Sequence, residues 1–142
     1  MPDGPTVIAG RYELEHRLGY GGMSEVWAAT DSELGRRVAI KLLAPDADNA
    51  RFDREARAIA SLAHPNIVQL YDYGHDEGRP YMVLEYVPGG TLEERLASAK
   101  GKPLPDGDTT AIAAGVAAGL AHAHARGVVH RDLKPANVLF DE

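Results

Sequence analysis

His130-Arg131-Asp132-Leu133-Lys134-Pro135-Ala136-Asn137 is the stretch on which the reading of the fold turns. It sets a carboxylate, Asp132, and an amide, Asn137, five residues apart, with Lys134 between them. Taken alone, such a string is an ordinary polar loop. Its setting is more particular, because an Ala-rich segment leads into it and Val138-Leu139-Phe140, a short strand in prospect, leads out. The Ala-rich segment begins at Asp108, which suits a helix N-cap, and stops at Gly127, a usual C-terminal residue. It is apolar or small on nearly every side, which predicts a helix buried all round. Thr109 to Ala125 carries Thr, Gly and His among its alanines and falls short of the ~20 strongly apolar residues of a bilayer span, so a buried helix is the expectation and no membrane segment.

Upstream, Pro88-Gly89-Gly90 breaks the chain and Thr91 starts a short helix to about Ala99, with Glu94 placed to complete a capping box. The stretch 100–107 is a loop. Before the break the period changes from helical to alternating. Tyr12–Leu18 and Glu25–Ala29 read as two strands around a glycine-rich turn, and Arg37–Leu43 as a third. In that third strand Val38, Ile40 and Leu42 share one face, while Lys41 lies on the other beside Ala39. Phe52, Ala56, Ile59, Ala60 and Ala63 make one stripe of a helix over 49–63, capped by Asp48 or Asn49 and ended by Pro65. Ile67–Tyr73 and Arg79–Val87 complete a five-stranded antiparallel unit with one helix, an α+β arrangement.

Composition narrows the functional classes. The 142 residues are 44% hydrophobic and 25% charged, an ordinary globular balance. A net charge of -6 leaves no broad cationic surface, so no nucleic-acid partner is expected. The absence of Cys removes thiol nucleophiles, disulfides and Cys-type zinc sites. The first ten residues, MPDGPTVIAG, lack the basic start and apolar run of a secretory signal. They read as a flexible lead-in to a cytoplasmic chain. His122 and His124 lie two apart on a helix, and His16, His64 and His75 have no neighbour at ligand spacing, so no metal site is expected there.

Gly19-Tyr20-Gly21-Gly22-Met23-Ser24 matches G-x-G-x-x-G with serine in the last place. A dinucleotide fingerprint would open a helix and place an acidic residue about 20 positions on; here a strand follows and the residue there is Lys41. The Walker form lacks its G-K-[ST]. What remains is a hairpin whose backbone N–H groups can fold over phosphates, and a plain flexible hairpin fits the same residues. Lys41 alone reads better as a solvated cation on an exposed strand. Glu55, three residues after Phe52 and four before Ile59, is expected to turn toward the packed side of its helix, where an unpaired charge is costly. Lys41 is then its candidate partner, with a surface pair to Arg51 as the competing arrangement.

Together these segments resemble the N-terminal half of the catalytic domain of a bacterial, Hanks-type serine/threonine protein kinase, from Arg11 to Glu142. The resemblance implies a protein-kinase-like two-lobe fold, truncated in these residues: an N-lobe over about 11–87 and part of a helical C-lobe over about 88–142. It implies ATP and Mg2+ as cofactors, and transfer of the γ-phosphate to Ser or Thr hydroxyls of protein substrates. Gly19, Tyr20, Gly21, Gly22, Met23, Ser24, Glu25 and Val26 would cover the ATP phosphates, with Lys41 on the α/β-phosphates and Glu55 orienting it. Asp132 would accept the hydroxyl proton, Lys134 face the γ-phosphate, and Asn137 hold magnesium. Leu84 takes the gatekeeper position, the Glu85 carbonyl and Val87 N–H meet adenine, and Leu18, Val26, Ala39 and Leu139 sandwich its ring. Ile59, Leu70 and His130 match three of four residues stacked between the lobes, and Arg131 implies control by activation-loop phosphorylation.

Two departures stand beside these matches. Ser24 replaces the last glycine, and D-F-G, the activation loop and A-P-E are not among the 142 residues. The expectation is a fragment that is inactive by itself. Ile112, Val116 and Leu120 would then have too few partners, which predicts poor solubility. The alternative class is a nucleotide-binding or regulatory module without catalysis. A small-molecule kinase of similar fold fits less well, because H-R-D-L-K-P-A-N is the protein-kinase form of the loop. Family members often carry a membrane segment downstream, so a full-length product could be anchored.

Overall fold

Alternating strands and one amphipathic helix organise the first of two compact units in the computed structural model, which describes residues 6–20, 24–45, 48–128 and 138–140. The first unit spans Met1–Ser61 and Gln69–Tyr86; the second spans Leu62–Val68 and Val87–Glu142.

The first unit is built on β1 (Val7–Ile8), β2 (Tyr12–Tyr20), β3 (Ser24–Asp31), β4 (Arg36–Leu43), β5 (Leu70–Asp76) and β6 (Arg79–Glu85). They form one antiparallel sheet in the order β1-β2-β3-β4-β6-β5. The five predicted strands are all present. The sixth, β1, lies in the predicted lead-in: Val7 and Ile8 pair with Glu13 and Tyr12, and Ile8 is buried among Tyr12, Leu14 and Val38. Residues 7 and 8 are therefore part of the sheet, because burying Ile8 outweighs the entropy of ordering a two-residue strand.

Strand alternation gives the sheet two unlike faces. Val38, Ile40 and Leu42 lie on one with Tyr81, Val83, Leu14 and Ala29, as the side-chain period requires. Leu43 and Met82 lie on the other, where Phe52 and Ala56 of α1 (Asn49–Ala60) cover them. Asp48 caps this helix by accepting from Arg51 N–H at 3.1 Å. The helix ends three residues before the predicted Ala63. Ser61 Oγ donates to the Ala58 carbonyl at 2.6 Å and closes the last turn locally. Between β5 and β6, Glu77 and Gly78 both take positive φ, 51° and 79°, the pair of left-handed residues that a two-residue hairpin turn demands.

Asp31, 1% exposed, anchors the β3–β4 turn. Its carboxylate accepts from Arg11 Nε and Nη2 at 2.9 and 2.8 Å and from the Glu33 and Leu34 N–H groups at 2.9 and 3.2 Å. The Arg11 hydrogen bonds lead in holding its pKa down, to about 2, against the opposing effect of burial.

In the second unit, α2 (Leu92–Ser98) carries the predicted capping box, Thr91 and Glu94 bonding reciprocally. The long helix, α3 (Asp106–Ala125), starts two residues before the predicted cap. Pro105 takes the N-cap position, and Asp106 and Asp108 sit in the first turn, where acidic side chains favour the helix dipole. The expectation of burial on nearly every side is corrected: within the described residues only Gly119 and Ala123 of α3 are buried, and Ile112, Val116 and Leu120 are half-covered. The covered stripe faces the segment 62–68. Asn66 Nδ2 donates to the Gly115 carbonyl at 3.1 Å, and a Cβ on Gly119 would stand 3.1 Å from the Asn66 carbonyl oxygen.

Candidate functional site

The register of the sheet decides which predicted site residues share a surface. Lys41 of β4 stands opposite Val26 of β3 and Met82 of β6; Ala39, two residues earlier, stands opposite Ala28 and Leu84. Directly paired residues point to the same side, so Val26, Ala39, Lys41 and Leu84 lie on one face, which is the face that α1 partly covers. Leu84 packs at the edge of the α1 cluster, and Ile59 and Leu70 belong to that same cluster. Ala39 is nearly buried, Val26 and Lys41 half-buried, and Lys41 forms no ion pair among the described residues. The strand therefore carries a half-buried cation flanked by Val26, Ala39 and Met82 next to the glycine-rich hairpin.

β2 and β3 enter and leave that hairpin, with Gly19 opposite Val26 and Tyr20 opposite Glu25. A register irregularity between Arg17 and Gly19 falls at Leu18, whose side chain is exposed. Gly21, Gly22 and Met23 lie outside the described residues.

Glu55 is a correction. The expected inward carboxylate is exposed and accepts from Arg51 Nε at 3.0 Å, one helical turn earlier. Phe52 and Ala56 centre the buried stripe, and Glu55 falls on its flank, where an i,i+4 partner is nearer than any strand. Lys41 and Glu55 are not brought together. The helix is held in this setting by Asp53 to His75 at 3.3 Å, by the Phe52 ring against Tyr73 and His75, and by Arg57 Nε to Tyr73 Oη at 3.4 Å.

At the end of β6, Glu85 exchanges hydrogen bonds with Gln69: its N–H donates to the Gln69 carbonyl at 2.9 Å and its carboxylate accepts from Gln69 N–H at 3.1 Å. Val87 belongs to the second unit. There, the residues following the predicted catalytic loop pair with the start of α2. Gly89 N–H donates to Phe140, Leu92 N–H to Val138, and Phe140 N–H to Gly90, with Leu139 bridged to Thr91 and its side chain exposed. Arg95 lies over the Phe140 ring at 3.4 Å. His130, Arg131, Asp132, Lys134 and Asn137 lie outside the described residues.

Reading of the sequence missed two basic residues that engage the hairpin. Arg17 and Arg79 both reach Glu25, one on each carboxylate oxygen. The available signal was the parity of Glu25 with Leu42, which becomes visible only once the β3–β4 register is known. Among the described residues no group of three or more His, Asp or Glu is arranged to hold a metal, and no helix is long and apolar enough to cross a membrane. His122 lies against the His64 ring at 5.0 Å; burial, then Arg126 and His64, pushes its pKa below the usual value.

Residues 12–142 match the protein kinase domain family. The chain is 48% identical over 145 residues to a probable serine/threonine-protein kinase of Streptomyces coelicolor, covering 96% of this chain and 21% of that protein. It is 45% identical over 139 residues to the serine/threonine-protein kinase PrkC of Bacillus subtilis, covering 94% of this chain and 21% of that one. The crystal structure of the Mycobacterium tuberculosis PknI kinase domain aligns at a TM-score of 0.85 and 34% identity, covering 98% of this chain and 57% of that one. The chain thus spans about a fifth of the length of the curated relatives it matches and just over half of the solved kinase domain.

Proposed function

The chain belongs to the protein kinase domain family, and from that premise we propose that it is the nucleotide-binding part of an ATP-dependent, cytoplasmically exposed serine/threonine protein kinase. The observation that carries the proposal is the face on which Lys41 lies beside Val26 and Ala39, at the strand next to the glycine-rich hairpin. A small apolar surface with one half-buried cation suits an adenine ring followed by phosphates. Lys41 neutralises the α/β-phosphates, and backbone N–H groups of 19–26 cover them.

The transfer forms a bond between the substrate Ser or Thr oxygen and the γ-phosphorus, breaks the bond from that phosphorus to the β,γ-bridging oxygen, and releases ADP. Asp132 takes the hydroxyl proton and Lys134 offsets charge on the transferred group. Asp132 and Asn137 supply carboxylate and amide oxygens, a hard donor set that fits magnesium, and Asn137 is the proposed ligand. Bound magnesium supplies charge neutralisation at the phosphates. Glu55 orients Lys41 only after giving up Arg51, since the two pairings compete for one carboxylate.

The placement of Lys134 two residues after Asp132 supports Ser/Thr rather than Tyr as acceptor. The 142 residues contain no D-F-G, so by themselves they transfer no phosphate. The reading is tested by measuring transfer from γ-labelled ATP with the full reading frame; loss of transfer on Lys41→Met supports it, and full activity in that variant overturns it.

A further inference from the structure

Glu25 follows the glycine-rich loop in sequence, yet its carboxylate lies on the side of the sheet away from Lys41. Glu25 is paired with Leu42, which belongs to the cluster of Ile40, Tyr81 and Val83, whereas Val26 is paired with Lys41. On that far side Arg17 of β2 donates to Glu25 Oε1, and Arg79 Nη2 of β6 donates to Oε2 at 3.2 Å. Arg79 also donates from Nε to the Leu43 carbonyl at 2.6 Å, at the last residue of the strand that carries Lys41. One carboxylate and two guanidinium groups therefore tie β2, β3, β4 and β6 together at the end of the sheet where the hairpin emerges. The three side chains are each about one-third exposed.

We propose that the Arg17–Glu25–Arg79 bridge is a strut on the back of the sheet that sets the glycine-rich hairpin relative to the strand bearing Lys41, which makes Glu25 and Arg79 positioning residues for nucleotide binding. This rests on the kinase reading above. The Glu25 side chain lies away from the Lys41 face, so its carboxylate acts through the backbone of the strand ends at Gly19, Tyr20 and Ser24. Arg79 needs both arms of its planar fork, one for the carbonyl and one for the carboxylate, and a lysine ammonium on a flexible stem does not present that pair of donors. Strand ends no longer tied down at Gly19, Tyr20 and Ser24 sample more orientations, and the fraction of molecules competent to hold the phosphates falls, which weakens apparent affinity by that fraction.

The test uses the full-length protein with Glu25→Gln, Arg79→Lys and the double variant. Each single variant is expected to raise KM for ATP about fivefold with kcat changed less than about twofold, and the double variant to be no worse than either single one. Amide exchange at Gly19, Tyr20 and Ser24 accelerates while that at Val38 and Ile40 stays as in the parent. Unchanged KM in both single variants overturns the strut, as does unchanged exchange at the hairpin or an equal acceleration across the whole sheet. Should the parent protein bind no ATP, the kinase reading fails, and the exchange measurement still decides the strut because it needs no nucleotide.

Discussion

Replacing Asp31 by asparagine removes one charge from a side chain that is 1% exposed and holds four donors, and the consequence can be worked from the structure. Its pKa falls from 3.8 to about 2, led by the Arg11 hydrogen bonds, with the Leu34 and Glu33 N–H groups adding and burial opposing. At ~1.36 kcal/mol per pH unit, that depression stabilises the folded sheet by roughly 2 kcal/mol at neutral pH. A carboxyl group whose folded pKa is depressed contributes fully above its unfolded value and loses that contribution as pH falls toward the folded one. The window here runs from about pH 4 to about pH 2. The substituted amide would keep an acceptor for the turn N–H groups and turn a donor toward Arg11, so the loss should reach about 2–3 kcal/mol at pH 7. Native-state amide exchange at Ala28, Ile40 and Val83, buried strand residues, reads the opening of the sheet in a protein of any length. Protection in Asp31→Asn should drop roughly 30- to 150-fold at pH 7, and the deficit in free energy should shrink to about half at pH 3. Equal protection in both proteins at pH 7, or a deficit that does not change with pH, would mean that the Asp31 carboxylate does not anchor the β3–β4 turn.

The other perturbations act on the helix and the cation of the proposed site and on the second unit. Arg51→Ala frees Glu55 from a surface i,i+4 pair worth ~0.3–0.5 kcal/mol, so basal transfer by the full-length protein should rise roughly twofold, and an unchanged or lower rate would separate Glu55 from Lys41. Gly119→Val places a branched side chain where even a Cβ stands 3.1 Å from the Asn66 carbonyl, and urea unfolding should show a loss of about 1–3 kcal/mol; wild-type stability would mean that the 62–68 segment is not seated on α3 as described. Lys41→Met should abolish transfer while leaving the sheet's exchange protection within about threefold of the parent, since Lys41 makes no ion pair among the described residues; collapse of that protection would assign Lys41 to the fold instead.

Most of the sheet was legible because period-2 alternation is a strong signal where one face is buried: Val38, Ile40 and Leu42 could be assigned to one side before any register was known. The capping box at Thr91 and Glu94 was legible for a similar reason, since its chemistry is local. Ile8 was not, because a two-residue strand has no periodicity and its burial depends on β2 arriving beside it. Glu55 was misread because helical spacing alone does not separate the flank of a stripe from its centre, and Arg51, one turn away, satisfies the carboxylate without burial. Helix α3 was misjudged for the opposite reason: an apolar composition indicates what a helix can bury, while its covering depends on partners outside the segment. Within the site, the shared face of Lys41, Ala39 and Val26 follows from the β3–β4 register, and the Arg17 and Arg79 contacts of Glu25 likewise depend on cross-strand register that no local pattern carries.

Phosphate transfer by the full reading frame beside its Asp132→Asn variant decides whether this chain supplies the nucleotide face and catalytic loop of a serine/threonine protein kinase. With γ-labelled ATP, magnesium and a protein acceptor, label is expected on Ser and Thr of the acceptor from the parent protein, with a fall to background in Asp132→Asn and ATP still bound by both. Transfer that survives in Asp132→Asn at the parent's rate, or label that appears on tyrosine alone, would contradict it.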